Sequence, residues 1–177
     1  ILGFMYYNGQ GVTKNKQIAL NMYTKSAESG YAEGQYNLGY YYYTERLFSK
    51  AFFWYEKAAD NGSALACMAM AKTHSEGIKK DLPKALTYMI KAAECGNQNV
   101  YEIIGNWYYN GVGVEESDFD NAFMWYNKAI NIQKISHKSL MNLVEMYHRG
   151  LISNDAIVHC HSKKFNQQFT DKGEIGN

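Results

Sequence analysis

Residues 38–62 read LGYYYYTERLFSKAFFWYEKAADNG, and this stretch decides the fold because it holds two helical motifs separated by a short segment. The first motif has the form L-G-x-x-Y. Leu38, Gly39 and Tyr42 occupy positions i, i+1 and i+4, a spacing that places them on one face of an α-helix. The stretch therefore begins with a helix whose packing face contains a glycine.

The second motif follows closely and has the form A-x-x-(aromatic)-Y-x-K-A-A-x-x-G. Ala51, Tyr55 and Ala58 occupy positions i, i+4 and i+7, so they also share one helical face. Small residues such as Gly39 and Ala51 let two helix backbones approach closely while large rings fill the flanks. Glycine costs a helix about 1 kcal/mol relative to alanine, so its use here indicates that close packing offsets the cost. Together the motifs predict an antiparallel helix pair.

Both motifs recur along the chain and keep in step. The first recurs at intervals of 36, 32, 34 and 39 residues, and the second accompanies four of its five copies. Repetition at a period of about 20 to 50 residues is typical of repeat architectures. The first motif begins at Leu2, Leu38, Met70, Ile104 and Leu143, and the second at Ala19, Ala51, Ala85 and Ala122.

One helix pair of about 34 residues cannot bury both of its faces, whereas stacked pairs can. We therefore predict an all-α solenoid of antiparallel helix pairs over residues 1–165, followed by a C-terminal tail at 166–177. The first pair lacks its opening turn, so the chain is expected to be the C-terminal part of a longer array. The predicted pairs span 1–30, 31–62, 63–96, 97–132 and 133–165, the last being a degraded, more polar cap.

The expected helix ends are also visible. Glycine adopts the left-handed conformation with which helices commonly stop. Asp81 before Leu82-Pro83 is typical of an N-cap followed by proline in the first turn. The second pair departs from the pattern because Glu45 stands where a glycine is expected. The expected C-terminal glycines are Gly9, Gly77, Gly111 and Gly150 for first helices and Gly30, Gly62 and Gly96 for second helices.

These motifs closely resemble Sel-1-like repeats, a branch of the tetratricopeptide-like helical repeats. The loops Gly9-Gln10-Gly11-Val12 and Gly111-Val112-Gly113-Val114 resemble the loop signature of that family. The resemblance implies a right-handed superhelix that acts as an adaptor or scaffold for protein complexes, in signalling and other tasks. Some members pair two cysteines eight residues apart, but the residue eight before Cys67 is Ala59, so that disulfide scheme does not apply.

Composition excludes several classes of protein. A formal net charge of +1 lacks the basic excess of a dedicated nucleic-acid binder. The sequence contains no apolar run of about 20 residues that would cross a membrane. Cys67, Cys95 and Cys160 are too few and too scattered for a disulfide framework. Neither the compartment nor the oligomeric state follows from these features.

The sequence shows no catalytic or cofactor-binding pattern. The two Gly-rich loops do not follow strands or lead into Gly-Lys-Ser/Thr, so we interpret them as turns. His159, Cys160 and His161 suggest a metal site, but residues i and i+2 of a helix point to opposite sides and do not chelate together. His74 takes the place of a core tyrosine and is interpreted as a packed residue. We therefore predict a protein without enzymatic activity, metal or cofactor.

The predicted function depends on the first helix of each pair, which lines the concave side in this repeat class. Its positions outside the core motif are expected to face a partner. Tyr7, Tyr43, Tyr109 and His148 occupy equivalent positions and form an interrupted aromatic ladder, a kind of surface that often supplies interaction hot spots. The predicted partner-binding residues are Tyr7, Tyr36, Tyr40, Tyr43, Lys72, Asn106, Tyr109, Glu145 and His148.

We predict a scaffold that binds a protein or peptide segment in this concave groove. Four alternatives stay open at this point. The scaffold could use its convex face or its ends for self-association, and the tyrosines could simply stack on one another. Helical-hairpin repeats also read RNA, at about one base per repeat, although the near-neutral charge disfavours that function. An enzyme would require a catalytic domain beyond these motifs.

Overall fold

The computed structural model describes residues 2–76 and 80–153. Within these ranges it contains nine α-helices, one short 3-10 helix and no strand, which confirms the predicted all-α repeat fold. The elements are α1 (Leu2–Asn8), α2 (Lys16–Glu28), α3 (Ala32–Thr44), α4 (Phe48–Asp60), α5 (Ala64–Glu76), α6 (Leu82–Glu94), the 3-10 helix (Gln98–Val100), α7 (Tyr101–Tyr109), α8 (Phe119–Asn131) and α9 (His137–His148).

The helices pack as consecutive pairs within two compact units that divide between Asn97 and Gln98. In the first unit, α1 packs on α2, α3 on α4 and α5 on α6, while α2–α3 and α4–α5 contacts join successive pairs. In the second unit, α7 packs on α8, and α8 and α7 both contact α9. Each helix from α1 to α8 thus meets the partner with which its motif was predicted to pair.

A glycine-to-ring contact lies at the centre of three pairs. A Cβ atom placed on Gly39 would lie 2.7 Å from Cδ1 of Tyr55, closer than real Cβ atoms come to other atoms. The ring of Tyr55 is buried, so it has little room to move aside. The same arrangement joins Gly3 to Tyr23 and Gly105 to Tyr126. The glycine in the motif is therefore required by close packing, as its repetition predicts.

The third pair differs at both of these positions. Ala71 takes the place of the first-helix glycine, and Met89 takes the place of the second-helix tyrosine. Both are buried. Methionine is unbranched and flexible, so it fills irregular space that a rigid ring would not. The additional methyl group of Ala71 is thus matched by a more adaptable residue at the facing position.

Helix ends follow local side-chain chemistry. Asp81 accepts a hydrogen bond from the backbone N–H of Lys84 at 3.0 Å and confirms the predicted N-cap of α6, with Pro83 in its first turn. At the end of α3, where glycine is missing, Arg46 adopts a φ of 59° and makes the left-handed turn instead. Side chains of few residue types tolerate this conformation without strain.

The predicted core register of the fifth pair needs a correction. Val144 is 46% exposed and Tyr147 is 71% exposed, although both occupy core positions of the motif. The buried residues of α9 are instead Ser139 and Met146, and Met146 packs with Tyr126 of α8. This face of α9 turns toward the preceding pair. Residues 154–165 of the predicted fifth pair lie outside the described residues.

Candidate functional site

In the first unit, three predicted tyrosines form one aromatic cluster made of Tyr7, Tyr36 and Tyr40. The ring centroids of Tyr7 and Tyr40 lie 6.4 Å apart edge to face, and Tyr36 stacks on Tyr40 at 6.5 Å. The Tyr7 hydroxyl is 3.0 Å from Thr44 Oγ1, and the Tyr36 ring lies 5.7 Å from that of Tyr55. The cluster therefore joins α1 to α3 and is held in place by a core ring.

Exposure differs between the members of this cluster. Tyr36 and Tyr7 are half-buried, and burial raises the pKa of Tyr36. Tyr40, by contrast, is 46% exposed. The expectation that tyrosines stack on one another is thus realised, yet the stacked set still presents a ring to solvent.

Tyr43 lies in a different environment from the aromatic cluster. Its ring contacts that of Phe48 edge to face at 5.5 Å, and both residues are 46% exposed. Phe48 begins α4 and was not among the predicted site residues. The short hairpin of the second pair, in which only three residues separate α3 from α4, is the sequence signal that places these rings side by side.

Lys72 lies on the exposed side of α5. Its Nζ atom is 3.9 Å from Oε2 of Glu76, one helical turn away, and both side chains are well exposed. Such i,i+4 pairs contribute only about 0.3–0.5 kcal/mol to stability. Lys72 is therefore accessible to a partner, and its ion pair with Glu76 holds the side chain only weakly.

In the second unit, Tyr109 and Glu145 are brought together. The Tyr109 hydroxyl donates a 2.8 Å hydrogen bond to Oε2 of Glu145, and Arg149 donates a 2.8 Å hydrogen bond to the other carboxylate oxygen. The bonds from Arg149 and Tyr109 lower the pKa of Glu145, and the bond to Glu145 raises the pKa of Tyr109. These two predicted residues therefore connect α7 to α9.

Asn106 belongs to an internal polar network. Its side-chain oxygen accepts a 2.8 Å hydrogen bond from the buried hydroxyl of Tyr126 and one of 3.3 Å from Ser139. Asn142 donates to the same Tyr126 hydroxyl at 3.2 Å. The position of Asn106 on α7 was predicted, but its partners on α8 and α9 were not. Its side-chain oxygen has a structural function in addition to any contact with a partner.

Glu102 extends this network. Ser139 donates a 2.6 Å hydrogen bond to Oε1 of Glu102. Burial tends to raise the pKa of Glu102, but hydrogen bonds from Ser136 and Ser139 outweigh it, and the pKa is lowered. The carboxylate therefore stays charged and helps to hold the start of α9 against α7.

His148 is exposed at the end of α9, where its ring lies 6.2 Å from that of Tyr147. Each member of the predicted ladder thus contacts a ring outside it. Tyr7 contacts Tyr40 and Tyr41, and Tyr109 contacts Phe119 at 5.8 Å. Equivalent positions in the repeat therefore differ in their neighbours.

His74 is packed, as its place in the motif predicts. Its ring stacks on that of Tyr88 at 5.7 Å with an interplanar angle of 6°, and its buried Nε2 atom has no hydrogen-bond partner among the described residues. Burial and the charge of Lys84 lower its pKa. No group of three metal-binding side chains occurs in residues 2–76 and 80–153. His159, Cys160 and His161 lie outside the described residues.

A second exposed aromatic surface lies on α4, the second helix of its pair. Phe53 is 51% exposed, and its ring contacts that of Trp54 at 5.3 Å. Lys57 Nζ lies 4.6 Å and 5.3 Å from the centroids of these two rings, within the range of cation–π attraction. This surface was not among the predicted site residues, although the aromatic run at 52–55 is visible in the sequence.

The pattern of the Sel1 repeat matches four segments, residues 1–31, 32–63, 64–97 and 103–131, which together cover well over half of the chain. The chain belongs to the Sel1 repeat family. The family suggested by the two motifs is thus confirmed, and the matched segments contain the helix pairs α1–α2, α3–α4, α5–α6 and most of α7–α8.

Relatives and solved structures agree with this assignment. A sel1-like repeat-containing protein of Acanthamoeba polyphaga mimivirus is 33% identical over 111 residues, 62% of this chain but 21% of that protein. A Sel1 repeat protein from Oxalobacter formigenes has a TM-score of 0.67 at 34% identity, covering 82% of this chain and 61% of that one. A protective antigen of uropathogenic Escherichia coli with an SLR fold has a TM-score of 0.59 at 31% identity, covering 91% and 39%.

The matched part of the chain spans only about a fifth of its curated mimiviral relative. Sel1 repeat proteins are generally protein-interaction scaffolds, so the family implies protein partners. Among the helices that the structure describes, none has the length and apolar character needed to span a membrane.

Proposed function

We propose that this Sel1 repeat chain is a non-catalytic scaffold that binds an extended or helical segment of a partner protein on the first helices of its pairs. The observation that carries the proposal is the exposure of Tyr40 and Tyr43 on α3, each of which contacts a neighbouring ring. Aromatic side chains held by their neighbours lose little conformational freedom on binding. They are therefore suitable anchors.

Polar groups on other first helices support a peptide as the partner. Lys72 in the first unit and Glu145 and His148 in the second are exposed on the same helices of the repeat. Aromatic anchors together with exposed polar groups are typical of surfaces that bind protein segments. The net charge of +1 favours a protein partner over RNA.

A second candidate surface is the pair Phe53 and Trp54 on α4. Phe53 is as exposed as Tyr40, and Lys57 above both rings adds a charge that a partner carboxylate could meet. This surface corresponds to the alternative in which the scaffold uses its second helices, for self-association or for a different partner.

The test is a selection from a displayed peptide library on the purified chain, followed by affinity measurement for the selected peptides. We expect the double variant Tyr40→Ala, Tyr43→Ala to weaken binding by at least ~10-fold, since loss of each hot-spot ring costs ~1 kcal/mol or more. Phe53→Ala is the matched control because it removes an equally exposed ring from a second helix. Binding lost only with Phe53→Ala would contradict the proposal and favour the α4 surface.

A further inference from the structure

Two cysteines of the third pair lie in contact. Cys67 is in the first turn of α5, and Cys95 is the residue that ends α6. In an antiparallel pair the start of the first helix lies beside the end of the second, and α5 packs closely on α6. The two thiols are free, and their side chains lie close enough to interact. Their separation of 28 residues differs from the eight-residue spacing of the cysteine pairs that some family members have.

We propose that Cys67 and Cys95 form a reversible disulfide that ties the first turn of α5 to the end of α6. Side chains already in contact need only rotate about their Cα–Cβ bonds to bring the sulfurs to bonding distance, provided that the backbones lie within about 7 Å. A bridge here would join the two ends of a hairpin and would leave the surface of α3 unchanged.

The two thiols differ in accessibility, which sets the order of reaction. Cys95 is half-buried, whereas Cys67 is fully buried, and burial raises the pKa of the Cys67 thiol to about 12. Because the thiolate is the nucleophile, Cys67 reacts slowly with reagents in solution. Cys95 is therefore the residue that a small disulfide reaches first, and Cys67 is the residue that completes the bridge.

The oxidant is a low-molecular-weight disulfide such as oxidised glutathione. The sulfur of Cys95 attacks one glutathione sulfur, the glutathione S–S bond breaks, and one glutathione leaves and takes up the proton of Cys95. The sulfur of Cys67 then attacks the sulfur of Cys95, and the second glutathione leaves with the proton of Cys67. Two protein thiols are oxidised, and one glutathione disulfide is reduced to two thiols.

The experiment uses the full chain with Cys160→Ser, so that Cys67 and Cys95 are its only cysteines. After incubation with oxidised glutathione, we expect a mass lower by two hydrogens, a protease fragment that links both cysteines, and a melting temperature several degrees higher that dithiothreitol reverses. A lasting glutathione adduct on Cys95, a disulfide-linked dimer or two unreacted thiols would each overturn the proposal.

Two single variants in the same background check the order of reaction. With Cys67→Ala, we expect the reaction to stop at a stable glutathione adduct on Cys95. With Cys95→Ser, we expect Cys67 to stay unmodified on the same timescale because it is buried. Rapid modification of Cys67 in that variant would show that Cys67 reacts with glutathione disulfide without Cys95, which would contradict the proposed order of reaction. The bridge formed by the Cys160→Ser parent decides the proposal even if a single variant fails to fold, and none of these readouts involves a partner.

Discussion

The ring of Tyr126 lies against the α-carbon of Gly105, so closely that a Cβ atom added to Gly105 would lie 2.6 Å from Cδ1 of the tyrosine. Tyr126 is fully buried, and its hydroxyl is held by Asn106 and Asn142. The ring is therefore fixed at both ends. This contact between the two helices of one pair explains why a glycine occurs at the centre of a helix.

The first prediction concerns the same contact in the second pair. Gly39→Ala is expected to lower the free energy of unfolding by about 1–3 kcal/mol, because the new methyl group overpacks the ring of Tyr55. Alanine has the higher helix propensity, so propensity alone predicts the opposite sign. Urea denaturation measures the change, and Asn21→Ala at an exposed position of α2 is the control that should change stability by only a few tenths of a kcal/mol.

The third pair suggests how that loss is recovered. The double variant Gly39→Ala, Tyr55→Met reproduces Ala71 and Met89, and we expect it to be more stable than the sum of the two single changes predicts. The coupling energy of this double-mutant cycle should be about 0.5–3 kcal/mol. Strict additivity would mean that the two positions do not share space.

A second cycle separates the structural function of Asn106 from a function in binding. Asn106→Ala removes the acceptor of the Tyr126 hydroxyl and is expected to cost about 1–3 kcal/mol of stability. In the background of Tyr126→Phe, which lacks that hydroxyl, Asn106→Ala should lower the free energy of unfolding by clearly less. If Asn106→Ala cost equally much in both backgrounds, the hydrogen bond would not be the source of its effect.

The third pair also predicts a dependence of stability on pH. The pKa of His74 is lowered from its ordinary value of 6.5 because the ring is buried, with Lys84 adding to the effect and Asp81 and Glu56 opposing it. Between pH 6.5 and the lowered pKa of the folded state, the unfolded chain therefore binds a proton that the folded chain does not, and the free energy of unfolding falls as the pH falls through this window.

Replacing this histidine tests that sign. His74→Tyr restores the tyrosine of the motif and should remove this part of the decrease between neutral and acidic pH, measured as urea midpoints over a pH series. His137→Gln, at an exposed histidine, is the control and should keep the wild-type slope. A slope unchanged by His74→Tyr would show that another group titrates.

The last prediction addresses the bond between α7 and α9. Tyr109→Phe removes one of the two donors that lower the pKa of Glu145, so this pKa should rise toward its ordinary value of 4.5. An NMR titration of the side-chain carboxylates measures the shift. Tyr147→Phe, on the exposed face of α9, should leave the titration of Glu145 unchanged.

The repeat periodicity is enough to predict the helices, their pairing and the packing glycines, because helical spacing alone determines which residues share a face. It also places Tyr40, Tyr43 and Glu145 on first helices. It does not predict which residues they contact. The Asn106–Tyr126 bond depends on how two helices rotate about their axes, and the burial of Met146 in place of Tyr147 depends on which neighbour α9 packs against. Such rotations are three-dimensional properties without a local sequence signal.

The contact between glycine and tyrosine also bears on how such an array changes in length. Both members belong to one pair, so a stretch of DNA that encodes a pair carries the complete contact with it. Duplication or loss of that stretch adds or removes a helix pair in which the glycine and the tyrosine that packs on it are both present. A break within the pair, between Gly39 and Tyr55 for example, would separate the tyrosine ring from the glycine against which it packs.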